Sequence, residues 1–320
     1  MDTLLSVENL TVKFRLRQGD LTAVDNVSFT LGRGERLGLV GESGAGKSVT
    51  GFSLINLISK PGFIDSGSIR FEDIEITRLS DTAMRKVRGE KISMIFQDPM
   101  MTLNPVLTIG TQMIETLRAH VGCSRRQAEA IALENIRKVH IPSPEKRLKQ
   151  YPHEMSGGMR QRIVIAIALM ASPGLIIADE PTTALDVTIQ AEIMDLLLEL
   201  CATEGVGLIL ITHDLAVVSQ VTQRIAVMYA GRIVETGDTQ QIVHRPKHPY
   251  TQGLLAALPQ HSNRQNRLNQ IPGVMPSLIK IPPGCSFHER CDLCQDLCRE
   301  QIPQLNEKSS GAHVACHLAE

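Results

Sequence analysis

The segment Gly41–Ser48, which reads GESGAGKS, restricts the fold of this chain more than any other feature. It fits the pattern G-x-x-x-x-G-K-[ST] in full, follows the short apolar run RLGLV and opens a helical pattern. Glycines let the backbone curl so that several N–H groups converge on one anion, and the start of a helix adds its positive end. The sequence therefore predicts a strand, a phosphate-binding loop and a helix, rather than a simple glycine-rich turn.

The polar positions of this loop match the chemistry of a nucleoside triphosphate. Lys47 is predicted to place its ammonium on the β- and γ-phosphates, and the Ser48 hydroxyl is predicted to ligate Mg²⁺. The residues expected to contact ATP in this segment are Gly41, Ser43, Gly44, Ala45, Gly46, Lys47, Ser48 and Val49.

The run LIIADE carries a second set of polar groups at the end of an apolar strand. Asp179, at the tip of this strand, is expected to hold the hydrated Mg²⁺. Glu180 is the next residue and can point at the water that attacks the γ-phosphate. Alone, Glu180 could equally be a solvated loop acid, but beside Asp179 and a complete phosphate loop it is predicted to be the general base.

Apolar runs and helical patterns alternate along much of the chain. GLIIADE and GLILITH are short strands, and the helical pattern TIQAEIMDLLLELCA lies between them. Strand, helix and strand with polar groups at the strand ends predict an α/β fold, with a mostly parallel sheet and ligands at its carboxyl edge. Residues 4–40 are rich in strand patterns, whereas residues 108–172 carry long helical patterns such as TQMIETLRAH and RRQAEAIALENIRKV.

The segment Met155–Arg162, which reads MSGGMRQR, precedes a strongly apolar helix. Ser156 is predicted to be the N-cap residue, and Gly157 and Gly158 expose backbone N–H groups that could bind a second anion. A plain helix cap is the alternative. Because one nucleotide rarely needs two phosphate-binding loops, we expect this segment to close on ATP held by another subunit.

Taken in order, these motifs resemble those of the ATP-binding cassette (ABC) ATPases. The order is the phosphate loop, Gln97 in IFQDP, the signature MSGGMRQR, LIIADE, Asp186 in ALD and His213 in ITHD. The resemblance covers about residues 4–245, and Met155 and Met159 depart from the usual signature Leu-Ser-Gly-Gly-Gln. It implies a P-loop NTPase fold with an N-terminal antiparallel β subdomain and a helical subdomain.

The resemblance also implies a separate role for each of several residues in ATP hydrolysis. Mg²⁺ would be held by Ser48, Gln97 and Asp179. Gln97 would touch Mg²⁺ or the attacking water, Glu180 would act as general base and His213 would steady the γ-phosphate. Phosphoryl transfer asks mainly for positioning and charge stabilisation, and these residues supply both.

The same resemblance implies that two cassettes clamp two ATP molecules head to tail. Ser156, Gly157 and Gly158 would contact the nucleotide of the opposite subunit, and Asp186 would line the dimer contact. Phe14 is the best candidate to stack on adenine, although a Phe at a strand end is about as often a core residue.

The segment Arg245–Pro259, which reads RPKHPYTQGLLAALP, follows the ATPase motifs. Pro249 precedes a helical run, so a turn and a short helix are predicted. The segment resembles the His-Pro-Tyr segment of oligopeptide and dipeptide importer subunits, and PPGCSFHERC with the later VACH resembles the tail of that subfamily. The predicted function is therefore the ATP-hydrolysing subunit of a dipeptide or oligopeptide ABC importer.

Five of the seven cysteines fall between Cys285 and Cys316, with the spacing C-x5-C-x2-C-x3-C-x17-C. Disulfides are not expected in the cytosol, and thiolates this close together favour soft metal ions. A four-thiolate site means Zn²⁺ or an iron–sulfur cluster, and structural zinc usually shows two C-x2-C pairs, not one. Within the resemblance, Cys285, Cys291, Cys298 and Cys316 correspond to ligands of a [4Fe–4S] cluster, with Cys294 as an extra thiol. The alternatives are Zn²⁺ and a reduced tail without metal.

The motifs predict three parts of the chain: an ATP-binding core over 1–97 and 173–258, a helical signature subdomain over 98–172, and a linker with a Cys-rich region over 259–320. The implied partners are two transmembrane permease subunits, an extracytoplasmic solute-binding protein and a second, related ATPase subunit that forms a heterodimer.

Charge and hydropathy restrict where such a chain would act. A formal net charge of −1 gives no bulk attraction to nucleic acid, which is not an expected partner. The chain has no signal-peptide pattern and no run of about 18 apolar residues, so it is not expected to cross a bilayer by itself. The resemblance to importer subunits implies a peripheral position at the cytoplasmic face of the inner membrane. The open alternatives are an importer of nickel, glutathione or another small solute, a soluble ABC ATPase, and a binding protein that uses the cysteines for electron transfer.

Overall fold

The computed structural model describes residues 2–183, 185–258, 270–308 and 311–319. The chain forms two compact units. Unit 1 comprises Met1–Leu4, Gly32–Glu35 and Arg78–Ile209, and unit 2 comprises Leu5–Leu31, Arg36–Thr77 and Leu210–Glu320.

Unit 2 contains nearly all of a four-stranded sheet with the strand order β2-β1-β4-β5. Its strands are β1 (Thr3–Leu16), β2 (Gly19–Gly32), β4 (Gly62–Phe71) and β5 (Ile74–Glu75). Strand β4 pairs antiparallel with both β1 and β5. This is the antiparallel subdomain that the resemblance implies, and it accounts for the strand patterns near the N-terminus.

A second set of strands in unit 2 includes β3, which leads into the phosphate loop, and has the order β3-β9-β10-β12-β11. These are β3 (Arg36–Val40), β9 (Arg224–Tyr229), β10 (Arg232–Asp238), β11 (Asn306–Glu307) and β12 (His313–Val314). Strand β3 is parallel to β9, whereas β9, β10, β12 and β11 pair antiparallel in turn. The helices of this unit are α1 (Lys47–Leu54), α9 (Leu215–Val221), α10 (Thr239–His244), α11 (Pro249–Ala256) and α12 (Asp296–Glu300), with a 3₁₀ turn at His288–Arg290.

Unit 1 combines two buried parallel strands with the long helices. Strands β6 (Ile92–Ile95) and β7 (Leu175–Asp179) pair in parallel, and β8 (Gly207–Thr212) begins in unit 1 and ends in unit 2. The helices are α2 (Asp81–Met84), α3 (Pro99–Thr102), α4 (Ile109–His120), α5 (Arg125–Lys138), α6 (Pro144–Arg147), α7 (Gly157–Ala168) and α8 (Val187–Glu204).

Local capping explains where the long helices begin. The Ser124 hydroxyl accepts a hydrogen bond from the Gln127 N–H, and the Gln127 Oε1 accepts one from the Ser124 N–H, so α5 starts with a complete capping box. The Thr108 hydroxyl caps α4 in the same position. The buried side chains of α4 recur with helical spacing, which is why the periodicity alone predicts this helix.

The helices α4, α5, α8 and α11 and the strands β3, β7 and β8 confirm the sequence predictions. The predicted polar linker that starts at Pro259 lies largely outside the described residues, because 259–269 are not among them. Within the parts of the chain that the structure describes, no helix is both long enough and apolar enough to span a membrane.

Candidate nucleotide-binding site

The phosphate loop of unit 2 connects the buried strand β3 to helix α1 and depends on its glycines. Gly46 is the N-cap residue of α1 with φ 100°, and a Cβ there would lie 2.5 Å from the carbonyl oxygen of Ala23. A Cβ on Gly41 would lie 2.2 Å from the carbonyl oxygen of Met228. Since real Cβ atoms do not approach backbone so closely, the path of the loop requires glycine at both positions.

Lys47 lies inside the curl of this loop and is only 5 % exposed. Its Nζ donates to the carbonyl oxygens of Gly41 at 2.8 Å and Glu42 at 3.0 Å. The Thr50 N–H donates to the Gly46 carbonyl at 2.9 Å, which is the first backbone hydrogen bond of α1. The N–H groups before Thr50 are therefore not used in the backbone hydrogen bonds within the helix. A buried ammonium beside a helix N-terminus is an arrangement that fits a phosphate group.

Two other predicted residues of the site lie in unit 2. Phe14 is half-buried, and its ring lies 2.7 Å from where a Cβ on the paired residue Gly62 would be. His213 is exposed and follows directly on β8. The next residue, Asp214, caps α9 by accepting from the Ala216 N–H at 2.8 Å, so His213 lies in a fixed turn. The roles of Phe14 on adenine and His213 on the γ-phosphate stay predictions.

In unit 1, the structure brings Gln97 and Glu180 together. Strands β6 and β7 are parallel, so the residues that follow them meet at one sheet edge. The Gln97 Nε2 donates to the Glu180 Oε2 at 3.2 Å, and the Thr183 hydroxyl donates to the same oxygen at 2.9 Å. Glu180 has φ 46°, in the left-handed region, where strain is typical of functional positions. Asp179, at the end of β7, is buried.

The signature segment of unit 1 begins helix α7 as the sequence predicts. The Ser156 hydroxyl accepts from the Met159 N–H at 3.3 Å, so Ser156 is the N-cap residue. A Cβ on Gly158 would lie 2.9 Å from the Ile189 Cγ2, which shows that α7 begins against the first turn of α8. Asp186 caps α8 by accepting from the Ile189 N–H at 3.0 Å. Ala184, the first residue of the ALD motif, lies outside the described residues.

The His-Pro-Tyr segment reaches the phosphate loop, which the sequence did not indicate. His248 is buried, and its Nδ1 accepts from the Tyr250 N–H at 3.0 Å to cap α11. Burial lowers the pKa of His248 to about 4, so the ring is neutral and able to accept. The Tyr250 hydroxyl accepts from the Glu42 N–H at 2.8 Å, which fixes the second residue of the loop from 208 positions away.

Arg290 is a second residue of the C-terminal region that sequence reasoning missed. Its guanidinium forms a bidentate ion pair with Glu42, with Nη1 to Oε2 at 2.6 Å and Nη2 to Oε1 at 3.1 Å. Arg290 is buried, although no periodic pattern or motif singles it out. Only its place between Cys285 and Cys291 gave a signal that this stretch matters.

The four cysteines predicted as metal ligands line one small cavity of about 10 Å³, together with His288 and His317. These are Cys285, Cys291, Cys298 and Cys316, whereas Cys294 does not line it. Burial, followed by the neighbouring sulfur atoms, raises the pKa of the Cys285 thiol to about 11, and burial raises that of Cys291. His288 is buried, with its Nδ1 at 2.8 Å from the Cys285 carbonyl oxygen.

The metal site itself is not formed by these side chains. Among the described residues, no three His, Cys, Asp or Glu side chains are placed to hold one ion. A cavity of this volume accommodates about one water molecule, so four sulfur atoms do not surround space for a cluster. The donor set nonetheless has the composition of a four-thiolate site, and the fifth thiol is separated from it.

Comparisons with known proteins agree with this geometry. A family model described as "ABC transporter" matches residues 24–183, and one described as "Oligopeptide/dipeptide transporter, C-terminal region" matches residues 234–298. The dipeptide transport ATP-binding protein DppD of Escherichia coli is 46% identical over 314 residues, which cover 98% of this chain and 96% of that protein. DppD of Haemophilus influenzae is 47% identical, covering 98% of this chain and 95% of that protein.

Solved structures give the same result for the fold. The dimeric structure of MJ0796, a bacterial ABC transporter cassette, is 28% identical with a TM-score of 0.66, covering 73% of this chain and 98% of that one. The structure of cbiO1 from Clostridium perfringens is 26% identical with the same TM-score, covering 77% of this chain and 92% of that one.

Fold and site define the class of this protein as an ATP-hydrolysing cassette that binds ATP with Mg²⁺. The chain belongs to the ABC transporter family, as an ATP-binding subunit of the oligopeptide/dipeptide transporter branch. ATP-hydrolysing subunits of this family work as peripheral proteins at a membrane, with permease partners.

Proposed function

We propose that this subunit powers the import of dipeptides or oligopeptides across the cytoplasmic membrane. The observation that carries the proposal is the C-terminal region, which matches the oligopeptide/dipeptide transporter model over residues 234–298. The relatives that share nearly the whole chain are named for dipeptide transport. The contacts of Tyr250 and Arg290 with Glu42 join that region to the phosphate loop.

In the proposed reaction, Glu180 accepts a proton from the water that attacks the γ-phosphate. Gln97 and Thr183 both donate to its Oε2, which orients the carboxylate. Lys47 and the first turn of α1 hold the phosphates, and His213 steadies the γ-phosphate as charge develops.

Ser48, Gln97 and Asp179 would hold Mg²⁺, which neutralises phosphate charge when it is bound. A hydroxyl, an amide oxygen and a carboxylate are the hard oxygen ligands that this ion prefers. Asp179 is buried at the end of β7, where an ionised carboxylate is stabilised by a nearby cation.

We further propose that two cassettes close on each ATP. Ser156, Gly157 and Gly158 lie at the N-terminus of α7, where backbone N–H groups favour a phosphate from the opposite subunit. Asp186 caps α8 beside that helix start and would line the contact. The similar cassette MJ0796 was also solved as a dimer after hydrolysis, bound to ADP and Pi, with 27% identity.

The proposed complex contains this chain, a second related ATPase subunit, two permease subunits and an extracytoplasmic solute-binding protein. The division of the chain into a core (1–97 and 173–258), a helical subdomain (98–172) and a Cys-rich region (259–320) is part of this proposal. The cytoplasmic face of the inner membrane is its proposed location. Nickel, glutathione or another small solute remains the competing cargo, because the ATPase does not contact the cargo.

We also propose that Cys285, Cys291, Cys298 and Cys316 ligate a metal centre, with a [4Fe–4S] cluster favoured over Zn²⁺. The four thiols line one cavity that Cys294 does not line, which supports this set, although the side chains must turn inward to bind a metal because no three described ones are placed to hold an ion. Burial raises the pKa values of Cys285 and Cys291, and these thiols would have to lose their protons to ligate a metal.

Uptake measurements with the gene deleted test the proposed cargo. Cells lacking this chain should lose uptake of a labelled dipeptide and regain it with the wild-type chain, but not with Glu180→Gln. Labelled nickel and glutathione serve as competing cargoes in the same cells. Loss of nickel or glutathione uptake with dipeptide uptake intact would overturn the peptide assignment and leave the ATPase intact.

A further inference from the structure

The phosphate loop carries a negative charge at a position that should oppose its function. Glu42 follows Gly41 directly and belongs to the segment that must bind the several negative charges of ATP. An unpaired carboxylate at this place would repel phosphate, because like charges within a few ångströms cost binding energy at low local dielectric. The loop therefore needs a cation that neutralises Glu42 without competing for the nucleotide.

Arg290 satisfies this requirement by its geometry. Both terminal nitrogens of its guanidinium bond to the two carboxylate oxygens of Glu42, at 2.6 and 3.1 Å. The Arg290 Nε donates to the Pro272 carbonyl at 2.9 Å, and Nη1 and Nη2 also donate to the Tyr229 hydroxyl and the Ile271 carbonyl at 3.4 Å, so the guanidinium is held in place. Bidentate pairs of this kind are strong and directional, and this one is buried on the arginine side.

Two further contacts from the same region hold the loop nearby. The Tyr250 hydroxyl accepts from the Glu42 N–H at 2.8 Å, so both the backbone and the side chain of Glu42 are fixed. A Cβ on Gly44 would lie 2.9 Å from the Met275 Cε, which places the Met275 side chain against the exposed turn of the loop. The region after residue 248 therefore contacts two of the eight loop positions.

We propose that Arg290 is a positioning residue for ATP binding, which acts by neutralising Glu42 and fixing the phosphate loop. This inference rests on the proposed role of the loop in holding ATP and adds a residue to it. Loss of Arg290 lets the loop populate conformations that do not bind, and the apparent affinity falls by the competent fraction. Turnover at saturating ATP changes little, because bound nucleotide restores the competent loop.

The test uses the full chain and Mg²⁺-AMP-PNP, with the dissociation constant measured by calorimetry and steady-state ATPase measured in parallel. Arg290→Gln should weaken binding about tenfold, with kcat within about twofold of wild type. Adding Glu42→Gln to this variant removes the repelling charge and should recover most of the affinity. Lys13→Gln, which breaks the exposed ion pair with Asp65 in the same unit, is the control and should bind as wild type.

A purely structural role predicts a different pattern. In that case Arg290→Gln lowers the melting temperature without changing the dissociation constant, or Glu42→Gln fails to restore it, and either result overturns the proposal. Should Arg290→Gln not fold, Arg290→Lys keeps the charge that neutralises Glu42 and should bind nucleotide within about threefold of wild type, so a loss of about tenfold or more in that folded variant overturns the proposal. A wild-type chain that does not bind the nucleotide would instead contradict the proposed site.

Discussion

Gln97 and Glu180 follow neighbouring parallel strands, and the Gln97 amide donates to the Glu180 carboxylate at 3.2 Å. With the Thr183 hydroxyl on the same oxygen, Glu180 has one carboxylate oxygen oriented by two donors. The residue predicted to take the proton is thus linked to the residue predicted to report on Mg²⁺ or water. A change at Gln97 would alter the direction of the base as well as its own contacts.

Glu180→Gln should lower ATPase activity by about 100-fold or more, because the amide cannot accept the proton from water. ATP binding should persist, and the variant should accumulate as an ATP-bound dimer with its related subunit. Steady-state ATPase and light scattering after gel filtration measure both effects. Glu145→Gln, which removes an exposed carboxylate paired with Arg137 in the same unit, should hydrolyse ATP normally. Normal turnover by Glu180→Gln would refute its role as base.

Gly46→Ala should abolish nucleotide binding, since the added Cβ would lie 2.5 Å from the Ala23 carbonyl oxygen and displace the loop. Gly19→Ala is the matched control, because Gly19 also has positive φ, at 120°, but nothing lies within 4 Å of its added Cβ. Both variants incur backbone strain of about 1–2 kcal/mol. Fluorescence of a labelled ATP should separate them, and equal affinity in the two variants would show that the collision does not govern the loop.

His248→Asn should make the free energy of unfolding depend less steeply on pH between about 6.5 and 4. The pKa of His248 is about 4 in the folded chain, against 6.5 in the unfolded chain, so the unfolded chain binds more protons in between. The stability that neutral His248 contributes is present above pH 6.5 and is lost as pH falls towards 4, to an upper limit of about 3 kcal/mol.

Melting temperatures at pH 7.5, 6 and 5 measure this slope. Glu235 accepts from the His248 N–H, and burial raises its pKa, which gives a slope of opposite sign. The comparison of wild type with His248→Asn leaves Glu235 in place, so the difference reports His248. Parallel curves for the two proteins would contradict the burial argument.

Cys291→Ser should lower the metal content of anaerobically purified protein, whereas Cys294→Ser should not. The reason is that Cys291 lines the cavity shared with the other three thiols and Cys294 does not. Iron and zinc per chain and the visible absorption spectrum measure the outcome and distinguish a cluster from zinc. Equal metal loss in both variants would show that Cys294 is a ligand, and unaltered metal in both would rule out the proposed set.

Much of the fold could be predicted from the sequence because its signals are local. Helices α4 and α5 follow from apolar spacing and caps, and the Ser156 cap follows from one residue before an apolar helix. The phosphate-loop pattern also predicts the need for glycine at position 46. The sequence does not indicate the physical cause, which is the close approach of the Ala23 carbonyl oxygen. The sequence left two interpretations of Phe14, as an adenine-stacking residue and as a core residue. Its contact with Gly62 shows how the ring packs in the fold and does not test the contact with adenine.

Long-range partners could not be predicted. Tyr250 and Arg290 lie 208 and 248 positions from Glu42, and nothing in the spacing of either residue encodes that contact. The sequence grouped five cysteines by proximity along the chain, but only the fold separates Cys294 from the four that share a cavity. Residues 259–269, which the sequence reads as a linker, lie outside the described structure.

Arg290 and Cys291 are adjacent in the sequence, so the ion pair with Glu42 and the cysteine-lined cavity belong to the same short segment of the chain. A hybrid that grafts the C-terminal segment of a distant relative onto this cassette must therefore bring a compatible partner for position 42. Hybrids that lack this pairing are expected to fold but to bind nucleotide weakly. Their low activity would then be wrongly attributed to the transplanted C-terminal segment.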